Sequence, residues 1–400
     1  MSRRANNEGS VYQRTSDGKW CASATFGGRR KTVYGSTQKE ALAKLRLLQQ
    51  QVERGMAFQP GRELTLAQYL NLWTEETLQG RVASGRLAPA TLASYRDQVR
   101  LHLIPDLGST PLAKLSVPLV RSWLSSKQQT PGHRGAPLSA RSVCYLHAVL
   151  RAALADAVRD ELIPRNVCLL VERPRVARRP ATALSTEEVG KLLAQAQNDR
   201  MRPLWVALLA LGLRKGEALA LHWDDVDFVA GTVVIHRTLQ RLRDGEPDPI
   251  TGRRRGRLVE RQTTKTGLAT TMPLPTIVVR ELESHRRRQL KERLSASVWV
   301  NPDLVFTTGA GTPLEPRNVT RAWKALCLAA GVEPVRVHDL RHTAASLLLQ
   351  RGVDLKVVQQ MLRHSRLSTT ADIYAHVNEE MERAAAAKMD DILTGLPAGS

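Results

Sequence analysis

The residues in this sequence that could do chemistry lie after position 180, in four short clusters: LGLRKGEAL, TTKTG, HDLRHTAAS and LRHSRLSTTADIYAH. In the first, Arg214 and Glu217 are three apart, so a helix would set them on one face with the carboxylate steadying the guanidinium. In the third, His338 and Arg341 repeat that spacing and pair an imidazole with a planar five-donor fork suited to a tetrahedral phosphate. His338 and His342 are four apart, as two zinc ligands would be, but the glutamate of an HExxH site is missing and no third ligand is indicated. Of six tyrosines only Tyr374 follows residue 180, ten residues beyond His364. A phenol with a reference pKa of about 10 attacks phosphorus only when cations surround the phosphate, and Arg214, Arg341, His338 and His364 are the candidates. Taken singly, each cluster is equally the pattern of a surface ion pair, a helix-capping histidine or a half-buried aromatic on an Ala-rich helix.

Such groups need elements to bring them together. An apolar helix through MRPLWVALLALG, a short helix RKGEALAL and a hairpin VDFVAGTVVIH turning at Ala230-Gly231 precede an Arg-rich excursion over 238–262. TTKTGLATTMPL then returns as strand and five helical stretches follow, which makes a mainly helical α+β domain with a small antiparallel sheet, placed at 180–393 with a tail at 394–400. From Leu64 to Leu170 the apolar spacing is helical, with at least four helices, giving an all-α domain at 62–172. Residues 1–57 are a small β-sheet-plus-helix module: β-prone runs broken at Asp17-Gly18 and Gly27-Gly28 predict three strands, and Thr37 with Glu40 predicts the cap of a following helix. GMAFQPGR and the Pro/Arg-rich RPRVARRPA are the linkers between these three parts.

The balance of 59 Lys and Arg against 38 Asp and Glu leaves the 400-residue chain at +21. Residues 1–60, 61–179 and 180–400 carry +7, +8 and +6, so the excess is not one basic tail. Charge spread in this way fits a long polyanion touched by every segment. The four cysteines form no CxxC or CxxxC pair, which argues against a zinc ribbon or a secreted disulfide scaffold and fits a reducing compartment. No apolar leader follows Met1, and the longest apolar run, 204–213, is about half of a bilayer span, so the expected location is cytoplasmic, with no membrane partner.

In order and residue type the four clusters resemble the catalytic domain of the tyrosine recombinase (phage integrase) family. The resemblance aligns Arg214 with the family's first arginine, Lys265 with its β-hairpin lysine, His338 and Arg341 with its HxxR box, His364 with its His or Trp position and Tyr374 with its nucleophile. It extends upstream, since 64–170 is similar to the family's helical core-binding domain and 8–55 to its arm-binding module. One departure is Arg363, where many members have glycine. The resemblance implies site-specific cutting and rejoining of DNA through a 3′-phosphotyrosyl bond, in the service of a phage or mobile element, without metal or other cofactor. Within it Tyr374 is the nucleophile, Arg214 and Arg341 the phosphate clamp, Lys265 the general acid, His338 a base, His364 a phosphate donor and Glu217 an orienter of Arg214. Arg29, Arg30 and Lys31 of the first module and Arg253, Arg254 and Arg255 of the excursion are the expected DNA contacts. The partners implied are double-stranded DNA with two recombination sites, three further copies of the chain in a tetramer on DNA, and an accessory excision or DNA-bending protein. Two other readings are a DNA-binding regulator without catalysis, against which all six catalytic positions are filled, and a type IB topoisomerase-like enzyme, which shares the tyrosine and arginine chemistry but acts as a monomer.

Overall fold

Runs of β-prone residues make the first element group. β1 (Ser10–Gln13), β2 (Trp20–Phe26) and β3 (Arg29–Gly35) form one antiparallel sheet in that order, with Tyr12 and Tyr34 both opposite Cys21. Gly18 supplies the left-handed residue of the first turn at φ +66°, and the backbone N–H of Arg14 donates to the carbonyl of Lys19 at 2.8 Å. α1 (Gln38–Glu53) begins as the sequence predicts, the Glu40 N–H donating to Thr37 Oγ1 at 3.2 Å while Ser36 N–H donates to the Glu40 carboxylate at 2.8 Å. Ala22, Ala24, Ala41 and Leu45 form a core that is small because its residues are small.

The structure is a computed structural model that describes residues 10–15, 17–26, 29–53, 64–129, 131, 135–177, 183–243, 245, 256–262, 269–300, 303–363, 386, 389–390 and 394. The chain divides into two compact units, 1–177 and 178–400.

The rest of the first unit is helical: α2 (Leu66–Leu72), α3 (Leu78–Ala83), α4 (Pro89–Gln98), α5 (Ile104–Leu107), α6 (Val117–Gln129) and α7 (Ala140–Arg159). Starts are marked by side chains suited to them: Thr65 and Gln68 cap α2 reciprocally, Pro89 opens α4 and Ser139 caps α7. Leu66, Leu70, Trp73, Leu103, Leu146, Leu150 and Leu154 are buried together. Asp156 sits in this core as a carboxylate with its charge met, accepting from Trp73 Nε1 at 2.7 Å and Arg81 Nη2 at 2.8 Å and also from Arg159.

The second unit opens with α8 (Thr186–Gln195), α9 (Arg202–Ala210) and α10 (Lys215–Leu219). β4 (Val226–Asp227), β5 (Thr232–Ile235) and, later in the chain, β8 (Thr270–Pro273) form an antiparallel sheet, its first hairpin turning at Gly231 with φ +63°. The stretch 238–262, read from sequence as an excursion, closes on itself: β6 (Thr238–Leu242) pairs with β7 (Arg257–Arg261), and Leu239 and Leu242, three apart and so on opposite faces of the strand, are both buried. α11 (Thr276–Ser295), α12 (Pro316–Ala329), α13 (Asp339–Gln350) and α14 (Leu355–Leu362) complete the described elements; of the fifth expected helical stretch only 386, 389–390 and 394 are among the described residues, each helical. The core joins α9, α11, α12 and the sheet, with Trp205 and Trp323 tilted against each other at 5.2 Å between ring centres.

Candidate active site

Helix α9 is buried along nearly its whole length and stops at Leu211. Gly212 follows at φ +56°, and a Cβ there would lie 2.5 Å from Leu362 Cδ2 at the end of α14. Glycine meets both the left-handed turn and that approach without strain or a shift of Leu362. The chain then extends through buried Leu213 to Arg214, whose φ of −71° and ψ of 143° make it the residue that precedes α10 rather than a member of it. Sequence spacing places Arg214 and Glu217 on one helical face; in the structure they face each other across a helix start. Glu217 Oε2 accepts the Arg214 backbone N–H at 2.9 Å, and Oε1 accepts Arg214 Nη1 at 2.6 Å.

His338 and Arg341 stand in the same relation to α13. His338 occupies the position just before the helix, with no capping bond from its side chain, and the Arg341 N–H donates to its carbonyl at 3.2 Å. Arg336 and Asp339 lock that start through a 2.7 Å ion pair, and Thr343 Oγ1 both donates to the Asp339 carbonyl and accepts from the Leu184 N–H, each at 3.0 Å. Arg341 is 1% exposed and its Nη1 donates to the Gly212 carbonyl at 2.7 Å, so α13 delivers its guanidinium to the turn that carries Arg214. Ala345 and Leu349 of α13 pack on Val358 and Leu362 of α14, which brings the α14 end to the same place.

That end contributes Arg363, at φ 53° and ψ 45°. Its Nη2 donates to Glu217 Oε2 at 2.6 Å and its Nη1 to Met272 Sδ at 2.6 Å, while its carbonyl lies 3.5 Å from Arg214 Nη2. Arg214, Arg341 and Arg363 therefore surround one carboxylate, and the cluster has an excess of positive charge in a largely buried place. Burial pushes the Arg341 guanidinium down to about 9, aided by Arg214 and Arg363, so it remains charged at neutral pH. Burial alone would raise the Glu217 carboxyl; Arg363 first and then Arg214 hold it below its ordinary value. Desolvation, then His342 and Arg341, lower His338, an exposed residue whose ring stands edge-on to His342 at 5.5 Å between centres. Such a cluster can bind a phosphate-sized anion and stabilise charge developing on its oxygens, with a neutral imidazole beside it.

Helix α10 also seats the β6–β7 hairpin: a Cβ at Gly216 would lie 2.6 Å from Thr238 Oγ1 and 2.9 Å from the Leu239 carbonyl. Arg241 with Glu315 at 2.9 Å and His222 with Glu260 at 3.0 Å anchor the two strands further.

Of the residues singled out from sequence, Arg214, Glu217 and Arg341 are brought together and His338 begins the helix that carries Arg341. Lys265, His364, Tyr374 and Arg253, Arg254 and Arg255 lie outside the described residues. Arg29 and Lys31 occupy β3 opposite Phe26 and Ala24; Arg30, between them, is exposed and donates to Ser10 Oγ at 2.8 Å and Ser23 Oγ at 3.0 Å. Sequence reasoning missed Arg363 as a site residue, noting it only as an arginine where a glycine is usual. That substitution was the available signal, since a left-handed position favours glycine.

Residues 182–381 match the family described as "Phage integrase family", and residues 65–128 match "Phage integrase, N-terminal SAM-like domain". An integrase of Streptomyces ambofaciens is 32% identical, with 99% of each chain covered. A "Tyrosine recombinase XerC-like" protein of Caldanaerobacter subterraneus is 27% identical over 91% of this chain and 92% of its own. Among solved structures, the Tn1549 transposon integrase in complex with a circular intermediate DNA superposes with a TM-score of 0.62 at 19% identity, covering 81% of this chain and 99% of that one. A lambda integrase tetramer bound to a Holliday junction gives 0.57 at 17% identity, over 93% and 96% of the two chains.

Proposed function

This chain belongs to the phage integrase family and is a tyrosine-type site-specific DNA recombinase, and from that premise we propose how its own residues divide the work. Tyr374 Oη attacks a DNA phosphorus in line; the bond to the 5′-oxygen breaks, leaving a 3′-phosphotyrosyl link and a 5′-hydroxyl. Arg214 and Arg341 hold the non-bridging oxygens and stabilise the charge gathering there. His338, kept neutral by its surroundings, accepts the tyrosine proton, Lys265 gives a proton to the departing 5′-oxygen, and His364 donates to a phosphate oxygen. One phosphodiester is exchanged for a phosphotyrosine, so a 5′-hydroxyl from a second duplex can reverse the step and reseal a different strand. No hydrolysis and no external energy source enters this exchange.

The observation that carries the proposal is the convergence of Arg214 and Arg341, 127 positions apart, on one turn, with Glu217 holding the first. We assign 62–172 to the core-binding domain, a reading supported by the SAM-like match at 65–128, 1–57 to an arm-binding module, and 180–393 to catalysis with 394–400 as a tail. Arg29, Arg30 and Lys31 then contact arm-site phosphates, and Arg253, Arg254 and Arg255 those near the cut. The working assembly is a tetramer on two DNA sites, by analogy with the lambda integrase tetramer, and its task is integration and excision of a phage or mobile element, with an accessory protein for excision. Among the described residues no helix is long and apolar enough to cross a membrane.

The test is covalent trapping on a nicked suicide duplex made from the DNA that flanks the coding sequence in its native genome, with EDTA present. A denaturation-resistant protein–DNA adduct is expected from the wild type and not from Tyr374→Phe. Salt-sensitive binding of the same duplex without any adduct would overturn the catalytic reading in favour of a DNA-binding regulator.

A further inference from the structure

A left-handed backbone at a helix end is the place for glycine or asparagine, because any other side chain crowds the following carbonyl. At the end of α14 the chain instead carries arginine, at φ 53°, and that arginine is buried, only 9% exposed. A strained position holding a buried cation persists only if its contacts over-determine it. Here they reach far: Arg363 Nη2 bonds Glu217, 146 residues earlier, and Nη1 bonds Met272 of β8 and the Met361 carbonyl at 3.3 Å.

The use of those contacts is visible in how Glu217 is shared. Its Oε1 receives Arg214 Nη1, whereas its Oε2 receives the Arg214 backbone N–H and Arg363 Nη2. A carboxylate with both oxygens open pairs with a guanidinium through two parallel bonds. With Oε2 already taken, Glu217 holds Arg214 through one nitrogen; Nη2 reaches only the Arg363 carbonyl, at 3.5 Å, and the partly exposed remainder of that guanidinium is what an incoming phosphate can meet. Without Arg363, Arg214 would be drawn into a two-bond pair and away from the substrate.

We infer that Arg363 is a positioning residue of the recombination site, which divides the Glu217 carboxylate between two arginines and so keeps Arg214 directed at the scissile phosphate. The inference rests on the proposed role of Arg214, and its test separates the two. Single-turnover adduct formation on the suicide duplex is measured for wild type, Arg363→Gly, Arg363→Lys, Glu217→Gln and the Arg363→Gly/Glu217→Gln pair, beside duplex affinity and amide exchange over residues 212–217. Glycine suits the backbone of the site, so Arg363→Gly removes the side chain without adding strain.

The expected result for Arg363→Gly is a loss of about 10- to 100-fold in cleavage rate, as for other residues that orient a direct ligand, with affinity changed less than about threefold. Millimolar guanidinium ion should restore part of that rate by filling the vacated place, and Arg363→Lys should fall between wild type and glycine. The double variant should lose less than the product of the two single losses, because both act through one carboxylate. Cleavage by Arg363→Gly at the wild-type rate overturns the inference, as does a loss that guanidinium leaves unchanged. If the wild type itself forms no adduct, the catalytic reading fails instead, and the exchange measurement still decides: an Arg214 amide protected equally in wild type and Arg363→Gly overturns the positioning role. Should Arg363→Gly not fold, Arg363→Lys is read by the same criteria.

Discussion

Replacing Glu217 by glutamine tests the whole cluster at once. The side chain keeps its length and one acceptor oxygen but loses the charge that faces Arg214 and Arg363 at 2.6 Å each, in a residue 3% exposed. Its amide nitrogen must also face either a guanidinium or a backbone N–H, since all three partners of Glu217 are donors. Removing one partner of a buried, hydrogen-bonded ion pair costs ~3–5 kcal/mol, because the charge left behind is neither hydrated nor paired. For a unit the size of residues 178–400, each kcal/mol moves the midpoint by roughly 2–4 °C, so the unfolding midpoint of this unit should fall by about 6–20 °C. Differential scanning calorimetry at pH 7 and low salt measures this directly. The effect carries its own internal check in acid. Glu217 is held below its ordinary value of 4.5, so as pH falls toward the native value the unfolded chain takes up a proton that the native chain does not, and stability drains away. The gap between wild type and variant should therefore be full above pH 4.5 and close as pH falls through the native value. A midpoint within 2 °C of wild type at pH 7, or a gap independent of pH down to acid unfolding, would refute the argument that the Glu217 charge holds this cluster together.

Arg341→Lys keeps a charge but cannot span the Gly212 carbonyl and a phosphate together, so cleavage should fall about 10²- to 10³-fold with duplex affinity little changed; equal losses in rate and affinity would count against a role in the transition state. Arg214→Lys should behave alike. His338 is lowered from 6.5, so it is neutral above that value and becomes protonated only as pH falls through its lower native one; the acid limb of the single-turnover rate should lie below pH 6.5 and vanish in His338→Gln, and a limb above 6.5 in the wild type would remove His338 as the base. Replacing Arg30 by alanine should lower the magnitude of the salt slope of arm-site binding by about one if it contacts one phosphate, as titration across salt concentrations would read; an unchanged slope would mean its guanidinium serves only Ser10 and Ser23.

Local signals were legible in the chain because local physics decides them. Asp17-Gly18 and Ala230-Gly231 mark turns whose glycines do adopt positive φ, and Thr37 with Glu40 marks a helix start that the hydrogen bonds realise. The pairing of Arg214 with Glu217 was legible from spacing too, but its geometry was not. Both Arg214 and His338 precede their helices, and a three-residue interval reads the same for two residues on a helix face as for a cap and its third residue. The β6–β7 hairpin was hidden because its strands are separated by a long Arg-rich segment and only five residue pairs mark it, in register from Thr238 opposite Arg261 to Leu242 opposite Arg257. Arg363 was hidden for another reason: its partner Glu217 is 146 residues away, and no periodicity carries information over that distance. The parts of the site that depend on chain crossing rather than chain neighbourhood needed the fold.

The turn at Gly212 has a practical consequence for anyone who would rebuild this enzyme. A methyl group there would strike Leu362, and the carbonyl of the same residue is what Arg341 grasps. A library randomised at position 212 should be dominated by glycine, and a chimera that borrows the α13–α14 region from a distant relative inherits a docking pocket shaped for that relative's turn. The interchangeable unit for grafting is therefore the turn together with both helices, moved as one block.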